Sequence, residues 1–160
     1  GRDLDYLMVD MPPGTGDIQL TLSQSSPLTG AVVVTTPQDI ALIDAKKGLK
    51  MFEKVNVPLL GIVENMSVFI CPCCGEVTHI FGEGGAKRMS EQYGVPMLGE
   101  LPLSPAIREA ADSGRPTVAA EPESAAAKMY RAIAMKIAGS IAKLGKDYTA
   151  RMPTISVKND

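Results

Sequence analysis

Three cysteines lie within four positions of the chain, and they are the side chains best suited to bind a metal. The segment reads Cys71-Pro72-Cys73-Cys74-Gly75, and it holds every cysteine of the 160-residue sequence. Both sulfurs of a Cys-x-x-Cys pair can reach one metal, and a following glycine allows the tight turn that brings backbone N–H groups near them. The pattern predicts a metal knuckle with Cys71 and Cys74 as ligands and Cys73 pointing elsewhere. The flanks, 67–70 and 77–81, are expected to pair as two short strands.

Three interpretations of this segment stay open from the residues alone. A dithiol redox motif normally lies where a strand meets a helix N-terminus, and residues 75–78 are not an obvious helix start. Structural zinc needs four ligands, and the chain offers no second pair, although its one histidine, His79, could add a ligand. The third interpretation is a half-site. Two identical chains that each supply Cys71 and Cys74 would present four thiolates, enough for a 4Fe-4S cluster or for zinc.

A second stretch with chemical potential runs from Asp10 to Asp17 and reads Asp-Met-Pro-Pro-Gly-Thr-Gly-Asp. An acidic residue at the carboxyl end of a strand can hold Mg²⁺ directly or through water. Gly14 and Gly16 let backbone N–H groups approach a phosphate, and Asp17 could orient an attacking water. The same residue types also form ordinary turns, so spacing alone leaves a phosphate site and a turn equally open.

Strands and helices alternate along the chain in a way that would position these loops. Continuous apolar runs predict strands buried on both faces of a parallel sheet, at residues 4–9, 31–35, 59–63 and 97–101. Helical periodicity predicts helices at 39–55 and from Pro122 to about Leu144. We therefore expect an α/β, doubly wound, mostly parallel sheet, interrupted at about 66–85 by an insertion that carries the cysteines.

Composition and charge exclude several classes of protein. Apolar residues make up 45% of the chain and charged residues 21%, with a net charge of −2. These values fit a globular core and give no basic patch for nucleic acid. No run is long enough to span a bilayer, and clustered thiols fit a reducing compartment. We expect a cytoplasmic protein that binds neither nucleic acid nor membrane, with one domain at 1–145 and a tail at 146–160.

Five motifs in order make the chain resemble the Mrp (ApbC-type) iron–sulfur cluster carriers, which are P-loop ATPases of the MinD/ParA-like class. The motifs lie at residues 10–17, 34–39, 61–67, 71–75 and 81–85. The resemblance implies a P-loop NTPase fold of the MinD type and ATP hydrolysis with Mg²⁺ by the complete protein. It also implies a 4Fe-4S cluster bridging a homodimer, taken from an iron–sulfur scaffold and passed to apo-proteins. Of the metals that four thiolates could hold, the resemblance favours iron–sulfur.

The resemblance also implies roles for single residues. Asp10 matches the acidic residue that ends the Walker B-like strand and is associated with Mg²⁺. Gly14 and Asp17 match the switch segment that senses the γ-phosphate, so Asp10 and Asp17 are the expected catalytic residues. Asn65 matches the asparagine near the nucleotide base, and Pro102 falls where such proteins pass backbone close to the base. By analogy with the class, the helix at 39–55 is expected to help form the dimer contact.

The family's phosphate-binding loop, a Gly-Lys-Gly-Gly-x-Gly-Lys-Ser/Thr-like segment, does not occur in this sequence. In family members it lies upstream of the strand that corresponds to 4–9, and it supplies a lysine and most of the N–H groups that hold ATP. We therefore expect these residues to be the C-terminal part of a longer ATPase, incomplete at its N-terminus. Alone, the chain is expected to be inactive towards ATP and to expose apolar surface where the missing strand would lie.

Two other functions stay open. A regulatory or positioning ATPase of the MinD/ParA kind would act through protein partners or a membrane, and it predicts a basic, amphipathic C-terminal helix. The last predicted helix does carry Lys128, Arg131, Lys136 and Lys143 opposite an apolar stripe, but packing on the sheet explains this more simply. A non-catalytic interaction module with a zinc knuckle is the other alternative, and it would be colourless and contain zinc.

Overall fold

The computed structural model describes residues 4–12, 14 and 16–144, along which helices and strands alternate. In chain order the elements are α1 (Asp17–Ser25), β1 (Ala31–Thr35), α2 (Asp39–Lys54), β2 (Leu59–Glu64), β3 (Phe69–Ile70), β4 (Val77–Thr78), α3 (Gly85–Tyr93), β5 (Met97–Glu100), α4 (Pro105–Asp112), α5 (Thr117–Ala120) and α6 (Ala125–Lys143). Strands β1, β2 and β5 form a parallel sheet in the order β1-β2-β5, and β3 and β4 form an antiparallel hairpin. The predicted α/β fold with a parallel sheet is confirmed.

Both faces of the sheet are buried because its central strand is apolar on both. Ile62 and Val63, which point to opposite faces of β2, are 0% and 4% exposed. On the Ile62 side, Leu49 of α2 and Met89 of α3 complete one apolar cluster. On the Val63 side, Ile133 of α6 packs into another. Helices thus cover the sheet from both sides, as in doubly wound folds.

The predicted strand at 4–9 is not formed. These residues have no regular secondary structure, and Leu7 and Met8 are 78% and 71% exposed. A strand is stable only when a neighbour pairs with its N–H and C=O groups, and the sheet of the described residues ends at β1 and β5 without adding 4–9. The prediction of a strand here is therefore wrong for this chain. On β1 and the first turns of α2, Val34, Ile40 and Ile43 are exposed as well, so apolar surface is open at this side of the sheet.

The last helix, α6, is confirmed but begins later than predicted. Its first residue is Ala125 rather than Pro122, because Ser124 caps it by accepting a hydrogen bond from the Ala127 N–H at 3.1 Å. Its apolar stripe packs against the sheet and its basic residues are exposed. Among the described residues we find no helix with the length and apolar character that a membrane span requires.

The insertion at 66–85 leaves the carboxyl end of β2 and returns at the start of α3. The Ser67 N–H donates to the Leu101 carbonyl at 3.0 Å, and the Leu103 N–H donates to the Val68 carbonyl at 2.8 Å. The first residues of the insertion therefore run beside the segment that follows β5. Strands β3 and β4 then pair, as predicted, and the cysteines lie at the tip of this hairpin.

Candidate functional site

The cysteine segment is a tight turn that directs backbone N–H groups at one sulfur. The Gly75 N–H donates to the Cys71 carbonyl at 2.8 Å, and the Cys71 N–H donates to the Glu76 carbonyl at 2.9 Å. Gly75 has a φ of +75°, which glycine adopts without strain. The N–H of Cys74 and then that of Cys73 hydrogen-bond to the Cys71 sulfur and lower the pKa of its thiol below the ordinary value. The turn therefore favours the thiolate, which is the form that binds metals.

The knuckle is open to solvent and does not close a metal site within one chain. Cys71 is partly buried, and Cys73 and Cys74 are exposed, all as free thiols. In the described part of the chain, no group of three or more Cys, His, Asp or Glu side chains could hold a metal ion. His79 faces Glu83 instead, with Nε2 3.8 Å from the Glu83 Oε1. A closed, four-ligand zinc site is therefore not built by the described residues of a single copy.

Asn65 and Pro102 lie at the carboxyl edge of the sheet, where the sequence predicts the nucleotide base. The Asn65 N–H donates to the Thr35 carbonyl at 2.7 Å, which continues the pairing of β1 and β2. Pro102 follows two residues after β5 ends, and both residues are partly buried. The Asn65 Oδ1 accepts from the Met66 N–H at 2.9 Å. Such a local hydrogen bond is typical of a residue in a turn. The predicted role of Asn65 in binding adenine stays a prediction.

The other predicted nucleotide residues lie on an exposed segment that leads into a helix. Asp10, Gly14 and Asp17 are all exposed. Gly14 has a φ of +103°, which favours glycine, and Asp17 lies in the first turn of α1, where the helix dipole stabilises a negative charge. The Gln19 Nε2 donates to the Pro12 carbonyl at 3.3 Å and ties the segment to α1. An exposed carboxylate and an open backbone suit hydrated Mg²⁺ and a phosphate, as they also suit a turn.

The burial of the Glu64 side chain was not predicted from the sequence. Glu64, the last residue of β2, is 2% exposed. Its Oε1 accepts from the Ser67 hydroxyl at 2.8 Å, and its Oε2 accepts from the Ala86 N–H, in the first turn of α3, at 2.9 Å. The signal in the sequence that could have identified Glu64 is an acidic residue that directly follows the apolar residues of a strand. Such a residue is buried only when partners satisfy its oxygens, and those partners lie three and 22 positions away.

Solved structures similar to the chain define its class. A nucleotide-binding protein in complex with ADP from Archaeoglobus fulgidus aligns with a TM-score of 0.65 and 42% identity, covering 76% of this chain and 49% of that protein. The cell division ATPase MinD of Pyrococcus furiosus aligns with a TM-score of 0.52 and 32% identity, covering 73% of this chain and 44% of MinD. The fold is therefore that of the MinD-like P-loop NTPases.

Sequence comparison narrows this class to a family. The ParA family model described as "NUBPL iron-transfer P-loop NTPase" matches residues 2–138, and the chain belongs to this family. An iron-sulfur cluster carrier protein of Escherichia coli K12 is 62% identical over 139 residues, which are 87% of this chain and 38% of the relative. The iron-sulfur cluster transfer protein NUBPL of Mus musculus is 58% identical over 134 residues, 84% of this chain and 42% of the relative. The chain thus spans less than half the length of these relatives, and the resemblance to iron–sulfur cluster carriers is confirmed.

Proposed function

We propose that the chain functions in an ATP-dependent iron–sulfur cluster carrier. Its cargo is a 4Fe-4S cluster, which it accepts from an iron–sulfur scaffold in the cytoplasm and passes to apo-proteins. The observation that carries the proposal is the knuckle at the hairpin tip, in which Cys71 is partly buried, Cys74 is exposed and N–H groups are directed at the Cys71 sulfur. Membership in a family described by iron transfer supports the same function.

The cluster is held between two copies of the chain in this proposal. One knuckle supplies two thiolates in Cys-x-x-Cys spacing, and a 4Fe-4S cluster takes four cysteine ligands. A two-fold axis beside the hairpin tip brings Cys71 and Cys74 of both copies together. Exposed Ile40 and Ile43 on α2 offer apolar surface for the dimer contact. Two ligands per copy at a solvent-open tip suit a cargo that must be released.

ATP and Mg²⁺ bind, in the same proposal, at the carboxyl edge of the sheet in the complete protein. Asp10 holds the hydrated Mg²⁺ and Asp17 orients the attacking water, while the backbone at Gly14 approaches the γ-phosphate. Asn65 and Pro102 lie beside the base. The location agrees with the rule that open α/β sheets bind ligands at the carboxyl ends of their strands. Because the sequence contains no phosphate-binding loop, we infer that the 160 residues alone are inactive.

Anaerobic reconstitution with iron and sulfide tests the carrier function. We expect brown protein with about four iron and four sulfide per two chains, and a dimer by light scattering. Cys71→Ala and Cys74→Ala should each abolish cluster binding, while Cys73→Ala, the matched control in the same turn, should retain most of it. A dominant loss in Cys73→Ala would show that the ligand assignment is wrong. Colourless protein that contains zinc would instead support a zinc-knuckle interaction module.

A further inference from the structure

We propose that Glu64 is a positioning residue that ties both ends of the cysteine insertion to the carboxyl edge of the sheet. The insertion occupies 66–85, and the two groups bound by the Glu64 carboxylate, the Ser67 hydroxyl and the Ala86 N–H, lie at its two ends. One side chain therefore closes the base of a loop of about twenty residues. The effect on cluster binding rests on the proposed function, whereas the effect on the order of the insertion does not.

The contacts at this base are buried and fully paired. Glu64, Ser67 and Ala86 are 2%, 3% and 0% exposed. Each carboxylate oxygen accepts one hydrogen bond, and the N-terminus of α3 stabilises a negative charge at this point. Removal of the carboxylate would leave a buried hydroxyl and a buried N–H without their partner. A buried donor without an acceptor destabilises the folded state more than the loss of both partners of a hydrogen bond.

Glu64 can position the insertion because its own backbone is fixed. It pairs with Thr35 of β1 and with Glu100 of β5, and its carbonyl accepts from the Leu101 N–H at 2.8 Å. The next residue, Asn65, is the predicted base-binding residue. The side chain of Glu64 thus connects the insertion to the central strand, directly beside the proposed nucleotide edge.

Beyond the backbone bonds that join Ser67 and Val68 to Leu101 and Leu103, most of the hairpin is exposed. Strands β3 and β4 are two residues each, and Ile70, Val77, Cys73 and Cys74 are exposed. At the return end, the backbone of Gly85 lies so close to the start of α2 that a Cβ atom would meet the Pro37 carbonyl oxygen at 2.6 Å. The insertion is therefore anchored at its base, and the orientation of the knuckle for a second copy depends on that base.

Hydrogen exchange on the apo-protein tests the anchor without any cluster. Glu64→Ala should accelerate exchange of the Ser67 and Leu103 amides, whose hydrogen bonds join the insertion to the segment after β5, about tenfold, as expected for loss of buried hydrogen bonds. Glu64→Gln should stay near wild type, because its carbonyl can accept from the Ala86 N–H and its amide can donate to the Ser67 hydroxyl. Leu49→Ala, which removes core packing but none of the hydrogen bonds at the base, is the control for general destabilisation. Equal acceleration in Glu64→Ala and Leu49→Ala would overturn the inference.

Cluster release gives the second measurement. After reconstitution, a chelator should strip iron about tenfold faster from Glu64→Ala than from wild type, but not from Leu49→Ala or Glu64→Gln. If Glu64→Ala does not fold, Ser67→Ala removes one of the two bonds and should shift both readouts in the same direction. A wild-type protein that binds no cluster would contradict the proposed function and leave hydrogen exchange to decide on Glu64. Cluster release from Glu64→Ala at the wild-type rate would contradict the role in cluster holding alone.

Discussion

The insertion at 66–85 and the leading segment at 4–17 both carry candidate ligands, yet they are built differently. In the insertion, bonds between residues 71 and 76 shape the turn, and Glu64 ties its base to the sheet. In the leading segment, Asp10 and Asp17 are exposed and residues 4–9 pair with no strand. A turn shaped by neighbouring backbone forms within a short stretch of chain. A site at the end of a strand requires the strands beside it.

The largest difference should appear between Leu101, which contacts the base of the insertion, and Leu7 of the leading segment. Leu101 is 6% exposed and its carbonyl accepts from Ser67 at the base of the insertion, whereas Leu7 is 78% exposed. Leu101→Ala should lower the free energy of unfolding by about 2–5 kcal/mol through lost burial and a cavity. Leu7→Ala should change it by less than about 0.5 kcal/mol. Urea unfolding of both variants measures this, and a comparable loss for Leu7→Ala would show that the leading segment is packed after all.

The next largest effect on stability is expected at Gly85, whose backbone lies close to the start of α2. A Cβ atom at this position would lie 2.6 Å from the Pro37 oxygen and 2.7 Å from the Leu42 Cδ1. Gly85→Ala should therefore destabilise the protein by about 1–3 kcal/mol. Gly48 of α2 has open space around it, and Gly48→Ala should stabilise by about 0.5–1 kcal/mol through helix propensity. If Gly85→Ala unfolds at the wild-type temperature or above it, the base of the insertion is not tightly packed.

A smaller effect should distinguish two cysteines of one turn. N–H groups of Cys74 and Cys73 lower the pKa of the Cys71 thiol, so the thiolate of Cys71 persists to lower pH. In the Cys73→Ser/Cys74→Ser variant, which keeps those N–H groups, the midpoint of the alkylation rate against pH should lie below the ordinary thiol value. Cys71→Ser/Cys74→Ser, which leaves Cys73, is the control. The two midpoints should converge in concentrated urea, and identical midpoints in the folded proteins would rule out N–H groups directed at Cys71.

Whether a feature could be predicted from the sequence likewise depends on whether its cause is local or lies elsewhere in the chain. The central strand and the cysteine hairpin were predictable, because apolar continuity around Ile62 and the Cys-x-x-Cys-Gly pattern are local signals. The strand at 4–9 was predicted wrongly, because an apolar run does not indicate whether a neighbouring strand is present to pair with it. Helix α6 was placed three residues too early, because a proline that suits a first helical position competed with the stronger cap at Ser124.

Two of the features that escaped prediction have only weak local signals in the sequence. Glu64 is buried through Ser67 and through Ala86, 22 positions away, and a single sequence does not show that α3 returns to that point. Helices α4 and α5 are short segments without buried residues, so they lack the apolar periodicity that marks α2. The roles of Asp10, Gly14, Asp17, Asn65, Pro102, Cys71 and Cys74 stay predictions, since they require a nucleotide or a cluster to be tested.

The smallest effect is expected at the leading segment itself. Titration of Mg²⁺ and ATP into the 160-residue chain should give no saturable heat by calorimetry, because the lysine and most N–H groups that hold phosphates belong to a loop that this sequence lacks. Asp10→Asn should be indistinguishable from wild type in this measurement. Its unfolding free energy should change by less than about 0.5 kcal/mol, since Asp10 is exposed. Saturable, Mg²⁺-dependent binding that disappears in Asp10→Asn would show that the carboxyl edge and the leading segment already form a nucleotide site. The leading segment would then not require further strands, and it would no longer differ from the insertion in this respect.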